Sequence, residues 1–204
     1  MKKSVQFILS LALISISTAF KPVLNPELEI GKPIPMAAQK MLDVSGKQVS
    51  LSEIKGENGL LVIFSCNTCP YVKLSATRIK ESAALAKKNK IGVAIINSNE
   101  ALRNDDDSFD EMKKYAVTQS YDFNYVVDKN SVLADAFGAT RTPHCFLFDK
   151  NGLVYRGAID DNVKDANDAK EHYLADAINS VAAGKSVRTN SSKSVGCSIK
   201  RLDL

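Results

Sequence analysis

Two cysteines separated by two residues, Cys66-Asn67-Thr68-Cys69, are followed at once by Pro70. Thiols at this spacing can close a disulfide or open one, and the thiolate is the nucleophile of that exchange. A continuous apolar run, Gly59-Leu-Leu-Val-Ile-Phe64, precedes the pair and reads as a strand covered on both faces. Val72, Ala76, Ile79, Ala83 and Ala86 then recur on one face of a helix expected from Pro70 to Asn89, and Pro70 suits its first turn. The pair is therefore expected at a strand-to-helix junction. Free backbone N–H groups and the helix dipole stabilise an anion there, which predicts a lowered pKa and an attacking role for Cys66. Cys69, about one turn later, is placed to resolve the mixed disulfide.

Thr142-Pro143 stands just before a second apolar stretch, Phe146-Leu-Phe148. A proline there would interrupt a ladder, and a cis X–Pro bond would bring backbone beside the cysteine pair to dock a partner's extended chain; the plain alternative is a turn proline. Cys145 reads either as a buried strand thiol or as a partner for another cysteine. Cys197 lies in the tail, and chain of that length beyond Gly184 reaches about 20 Å. It is a candidate third redox thiol, a structural disulfide partner or an idle thiol. His144 with Cys66, Cys69 or Cys145 would suit copper or zinc, although no four-ligand zinc spacing is present. The acids Asp105 to Asp107 read as a solvated loop, since no EF-hand pattern surrounds them.

The elements that must hold these residues alternate. A hairpin is expected from Val44 to Leu51, then the strand and helix above, then a buried-type strand from Ile91 to Ile96. Ser108 and Glu111 form a capping box for a further helix. Tyr125-Val-Val127 is a short strand, and Asp128 caps a short helix that Gly138 ends. Asn151-Gly152 marks a hairpin, and Leu174, Ala177, Ile178 and Val181 mark a last helix ended by Gly184. This order implies an α/β domain with a central mixed sheet covered by helices on both faces.

The bulk composition agrees. The chain has 204 residues, 45% apolar and 25% charged, with a net charge of +4, no Trp and four Cys. These values exclude a disordered chain, a polytopic membrane protein and a disulfide-stapled scaffold, and the mixed charges give no case for nucleic-acid binding. Lys2 and Lys3, an apolar stretch from Val5 to Ile16, and Ser17-Thr18-Ala19 read as a signal peptide over residues 1–19. Cleavage would leave an extended leader over 20–40, a domain over 20–184 and a flexible tail over 185–204. The expected location is periplasmic or secreted, with no stable membrane association.

Several further segments carry a resemblance: Leu51-Ser-Glu-Ile-Lys-Gly56, Phe64-Ser-Cys-Asn-Thr-Cys-Pro-Tyr-Val-Lys73, Ile95-Ile-Asn-Ser-Asn99, Tyr155-Arg-Gly157, Ile159-Asp-Asp-Asn162 and Gly196-Cys-Ser-Ile-Lys200. Together they resemble a thioredoxin-fold redoxin of the peroxiredoxin-like branch of the AhpC/TSA and TlpA-like superfamily. The resemblance implies a thioredoxin-like fold with an N-terminal hairpin extension, Cys66 and Cys69 as the redox pair, Pro143 as the cis-proline, and no cofactor. It implies a thiol–disulfide oxidoreductase whose partners are dithiol or disulfide proteins. Three alternatives stay open, a thiol peroxidase acting on peroxide, a copper-binding carrier and a redox-inert binding domain. Peroxiredoxins carry Pro-x-x-x-Thr/Ser-x-x-Cys; counting back from Cys69 gives Cys66 and Val62, and from Cys66 gives Ile63 and Gly59, so neither cysteine fits. The acid that thioredoxins bury in the preceding strand is replaced by Leu60, which leaves the proton relay unassigned.

Overall fold

The computed structural model describes residues 26–202. The expected signal peptide and the first part of the expected leader lie outside the described residues. Strand β3 (Gly59–Ser65) is the centre of a five-stranded sheet, and all seven of its residues are buried. On one side it pairs in parallel with β4 (Ile91–Asn97), which pairs in parallel with β5 (Asn124–Val127). On the other it pairs antiparallel with β7 (His144–Phe148), which pairs antiparallel with β8 (Leu153–Gly157). The continuous apolar run of β3 has a simple cause: its side chains alternate between two cores. Leu61 and Ile63 join Ile79, Met112, Leu174 and Ile178 on one face. Leu60, Val62 and Phe64 join Leu133, Phe137 and Phe146 on the other.

Helices α2 (Pro70–Leu74), α3 (Ala76–Lys88), α4 (Phe109–Thr118) and α6 (Tyr173–Ala182) cover the first face; α1 (Leu51–Ile54) and α5 (Val132–Phe137) cover the second. The mixed sheet and its two helical layers match the expected architecture. Ser108 caps α4 by accepting from the Glu111 N–H, and Asp128 accepts from Leu133 and Ala134 N–H at the start of α5. Gly138 ends α5 at φ +63, where a Cβ would stand 2.3 Å from the Pro26 carbonyl oxygen.

Three local expectations differ from the structure. The hairpin of β1 (Met41–Leu42) and β2 (Gln48–Val49) starts earlier than Val44 and ends before Leu51, which opens α1. The reason is a capping box: Glu53 Oε2 accepts from Ser50 N–H at 2.8 Å and from Ser50 Oγ at 3.0 Å. The helix expected from Pro70 to Asn89 breaks at Ser75. There the Leu74 carbonyl accepts from the Arg78 guanidinium at 3.1 Å, while the same guanidinium pairs with Asp160 at 2.6 Å. The segment after Gly184, read as a flexible tail, lies against the domain. Arg156 N–H donates to Asn190 O, Ser192 N–H donates to Arg156 O, and the tail goes on to form β9 (Cys197–Ser198), paired with β6 (Arg141–Thr142). Backbone pairing to an open edge supplies the order that its polar composition conceals.

Candidate active site

Cys66 and Cys69 stand where β3 hands over to α2, as expected, and all four cysteines are free thiols. Thr142 meets both sulfurs of the pair. Cys66 Sγ lies 3.5 Å from Thr142 Oγ1, and Cys69 Sγ donates to the Thr142 carbonyl at 3.1 Å. The Thr142–Pro143 bond is cis. Thr68 Oγ1 adds a contact to Cys66 Sγ at 3.8 Å. Both thiols are nearly sealed, at 1% and 2% exposure, so access to them is set by whatever covers them.

Asp107 is the residue the sequence misplaced. Instead of facing solvent with Asp105 and Asp106, its side chain is fully buried beneath the motif. Its Oδ1 accepts from Asn67 N–H and from Asn97 Nδ2, each at 2.8 Å. Its Oδ2 accepts from Asn99 Nδ2 at 2.8 Å and from Thr68 Oγ1 at 3.4 Å. Tyr125 completes the support by donating its hydroxyl to Asn67 Oδ1 at 2.8 Å. The two residues between the cysteines are thus held by a carboxylate that arrives from the β4–α4 connection. Three consecutive acids look solvated in sequence; the only clue was Asn97 and Asn99, amide donors at the end of an apolar strand.

The proton distribution follows from these contacts. Cys66 is pushed up, first by sharing its hydrogen with Cys69, then by burial and by the Asp107 carboxylate. Cys69 is pushed down by the hydrogen bond from Cys66 and further by hydrogen bonds from Cys197, against the opposing cost of burial. This reverses the expectation of a lowered Cys66 pKa. Helix-terminus stabilisation is outweighed by a neighbouring thiol, burial and a nearby anion.

The other candidates fall in different places. Cys197 is brought to the pair: it sits opposite Thr142 in the β6–β9 register. Its thiol and its N–H both hydrogen-bond to Cys69. Cys145 is buried on β7 opposite Ile63 and Gly157, its thiol pushed up by burial. His144 is fully buried on the opposite face from Cys66 and Cys69, against Phe146 with ring centroids 4.5 Å apart. Neither of its ring nitrogens has a hydrogen-bond partner. Burial, and then Arg156 and Arg141, push His144 down to about 3. Among the described residues, no group of three His, Cys, Asp or Glu side chains is arranged to hold a metal. The sheet itself separates His144 from the cysteine pair.

A family model, Redoxin, matches residues 29–173. The chain belongs to the redoxin family. This redoxin is also similar to solved structures along most of its length. An uncharacterized conserved protein from Geobacillus kaustophilus is 29% identical, with 84% of this chain and 94% of that chain covered and a TM-score of 0.76. A hypothetical protein from Sinorhizobium meliloti is 31% identical, with 87% and 97% covered and a TM-score of 0.75. A putative protein disulfide isomerase from Bacteroides thetaiotaomicron shares the fold at 17% identity, with 76% and 91% covered and a TM-score of 0.58. A search of curated proteins found no match. The thioredoxin-like fold expected from the sequence is the fold of this redoxin.

Proposed function

We propose that this redoxin is an exported thiol–disulfide oxidoreductase that exchanges dithiols and disulfides with protein partners through Cys66 and Cys69. The observation that carries the reading is the meeting of both thiols with Thr142, the residue before Pro143, at the end of β3. A partner strand paired with Thr142 would deliver its disulfide to the pair, and Cys66 would attack it. Cys69 would then attack the mixed disulfide, releasing the reduced partner and leaving a Cys66–Cys69 disulfide.

Docking of β9 opposes that first attack. While β9 is in place, Cys66 is pushed up by Cys69, burial and Asp107, and Cys69 is pushed down by Cys66 and by two hydrogen bonds from Cys197, set against its own donation to the Thr142 carbonyl. Release of β9 would remove those two bonds and with them part of the preference for charge on Cys69 over Cys66. Export rests on the N-terminal sequence and suits a redox-active pair, because disulfides persist outside the cytoplasm.

The test is a redox titration of the mature protein in dithiol buffers, read by alkylation and peptide mass spectrometry. A reversible two-electron transition at Cys66 and Cys69 is expected. A potential near about −270 mV marks a reductant and one near about −120 mV an oxidant. A pair that stays dithiol across that range rules the reading out. Cys69→Ser is expected to accumulate a mixed disulfide through Cys66.

A further inference from the structure

The edge that would receive a partner strand is already occupied by this chain. β9 runs antiparallel to β6, with Cys197 opposite Thr142 and Ser198 opposite Arg141. Arg141 donates to the Gly196 carbonyl at 2.9 Å. The approach is close: a Cβ on Gly196 would stand 2.0 Å from the Thr142 carbonyl oxygen. Beyond the strand, the buried Ile199 donates its N–H to Thr140 O at 3.0 Å, and Arg201 pairs with Asp135 at 2.8 Å. Lys200 N–H donates to Asn99 Oδ1 at 2.9 Å, and Asn99 Nδ2 donates to Asp107. The tail is therefore wired to the carboxylate that supports the Cys66–Cys69 loop.

This docking gathers three thiols around Thr142: Cys66 meets its hydroxyl, Cys69 its carbonyl, and Cys197 stands opposite it in the β6–β9 register. Cys69 interacts with both Cys66 and Cys197. Cys66 and Cys69 are sealed, whereas Cys197 is only partly buried. We propose that β9 is a built-in substrate strand, and that Cys197 takes the disulfide over from the buried pair as Cys69–Cys197. The inference rests on the oxidoreductase reading, which supplies the Cys66–Cys69 disulfide.

In the step, the Cys197 thiol loses its proton and its sulfur forms a bond to Cys69 Sγ. The Cys66–Cys69 bond breaks, and Cys66 leaves with the electron pair and takes up a proton. The chain gains and loses no electrons; one disulfide replaces another. The disulfide moves from a sealed position to one that an external dithiol can reach, and Cys66 is regenerated. Thiols held in contact react as if at very high concentration, so a small thiol in solution competes poorly with Cys197.

The test uses the full mature chain oxidised with oxidised glutathione, quenched in acid, alkylated and mapped by non-reducing peptide mass spectrometry. In Cys66→Ser, most molecules are expected to form an intramolecular Cys69–Cys197 disulfide in a yield that does not change on dilution. In the unaltered chain, both Cys66–Cys69 and Cys69–Cys197 linkages are expected. In Cys197→Ser, only Cys66–Cys69 is expected, and its absence there would sink the oxidoreductase reading itself. Free or merely glutathionylated Cys69 and Cys197 in Cys66→Ser overturns the relay, as does a Cys66–Cys197 linkage in the unaltered chain. If Cys66→Ser does not fold, the linkage map of the unaltered chain decides alone: the relay stands if Cys69–Cys197 is found and falls if it is not.

Discussion

Asp107 supports the cysteine loop and at the same time disfavours a negative charge on Cys66. Asp107→Asn removes the charge and keeps one oxygen acceptor. The Cys66 pKa is expected to fall, seen as faster alkylation of Cys66 near neutral pH. Asp107→Ala strands buried donors on Asn67, Asn97 and Asn99 and should cost about 1–3 kcal/mol of stability or more, measured by urea unfolding. His144 makes a separate prediction on pH. Its imidazole is held neutral down to about pH 3, against an ordinary value of 6.5. Between those values the unfolded chain binds a proton that the native chain does not. Stability from this group is therefore complete above pH 6.5 and declines as pH falls, by up to about 1.4 kcal/mol per pH unit. Glu27, 3.6 Å from Nε2, and the cations Arg141 and Arg156 face the same ring. His144→Phe should flatten the acid limb of a plot of urea midpoint against pH. An unchanged limb would assign acid lability to other groups.

At the scale of elements, β9 is the piece most exposed to a single substitution. Gly196→Ala drives a methyl group into the Thr142 carbonyl and is expected to lift β9 from its edge. Alkylation of Cys69 should then quicken by an order of magnitude or more, because Cys197 no longer lies against it; an unchanged rate would mean that β9 does not control access. This element also marks where the sequence stopped being readable. β3, β4, β7, β8, α4 and α6 were legible because apolar spacing, a capping serine and Asn151-Gly152 are local signals. α1 was legible in principle through Ser50 and Glu53, but its first residue, Leu51, was read as the end of a hairpin and the other three were left unassigned. β6 and β9 have two residues each and pair across 55 residues of sequence, from Thr142 to Cys197. No window of sequence contains that partnership. The burial of Asp107 is of the same kind, since its partners come from the cysteine loop and from β4.

At the scale of the molecule, the leader around Gly31 and the tail around Asn190 close over the same sheet edge. The leader pairs with β8 through Gly31 N–H to Leu153 O and Leu153 N–H to Lys32 O. The tail pairs with β8 through Arg156 backbone, and the Arg156 side chain reaches the Glu27 and Leu28 carbonyls. Arg156 is thus a clasp between leader, sheet and tail. Arg156→Ala is expected to lower Tm by several degrees, with proteolysis of both terminal segments as the earliest cleavage. Cleavage confined to the core would contradict the clasp.

The ring of Tyr125 carries the redox pair into view of light. The chain has no Trp to dominate or quench tyrosine emission. Tyr125 holds the Asn67 side chain between the two cysteines and lies 5.8 Å from the Tyr121 ring and 6.3 Å from the Tyr115 ring. Any shift of the loop on closing or opening a disulfide must move that hydroxyl contact. Tyrosine emission is therefore expected to change on turnover, and Tyr125→Phe should shrink that change while the other five tyrosines still emit.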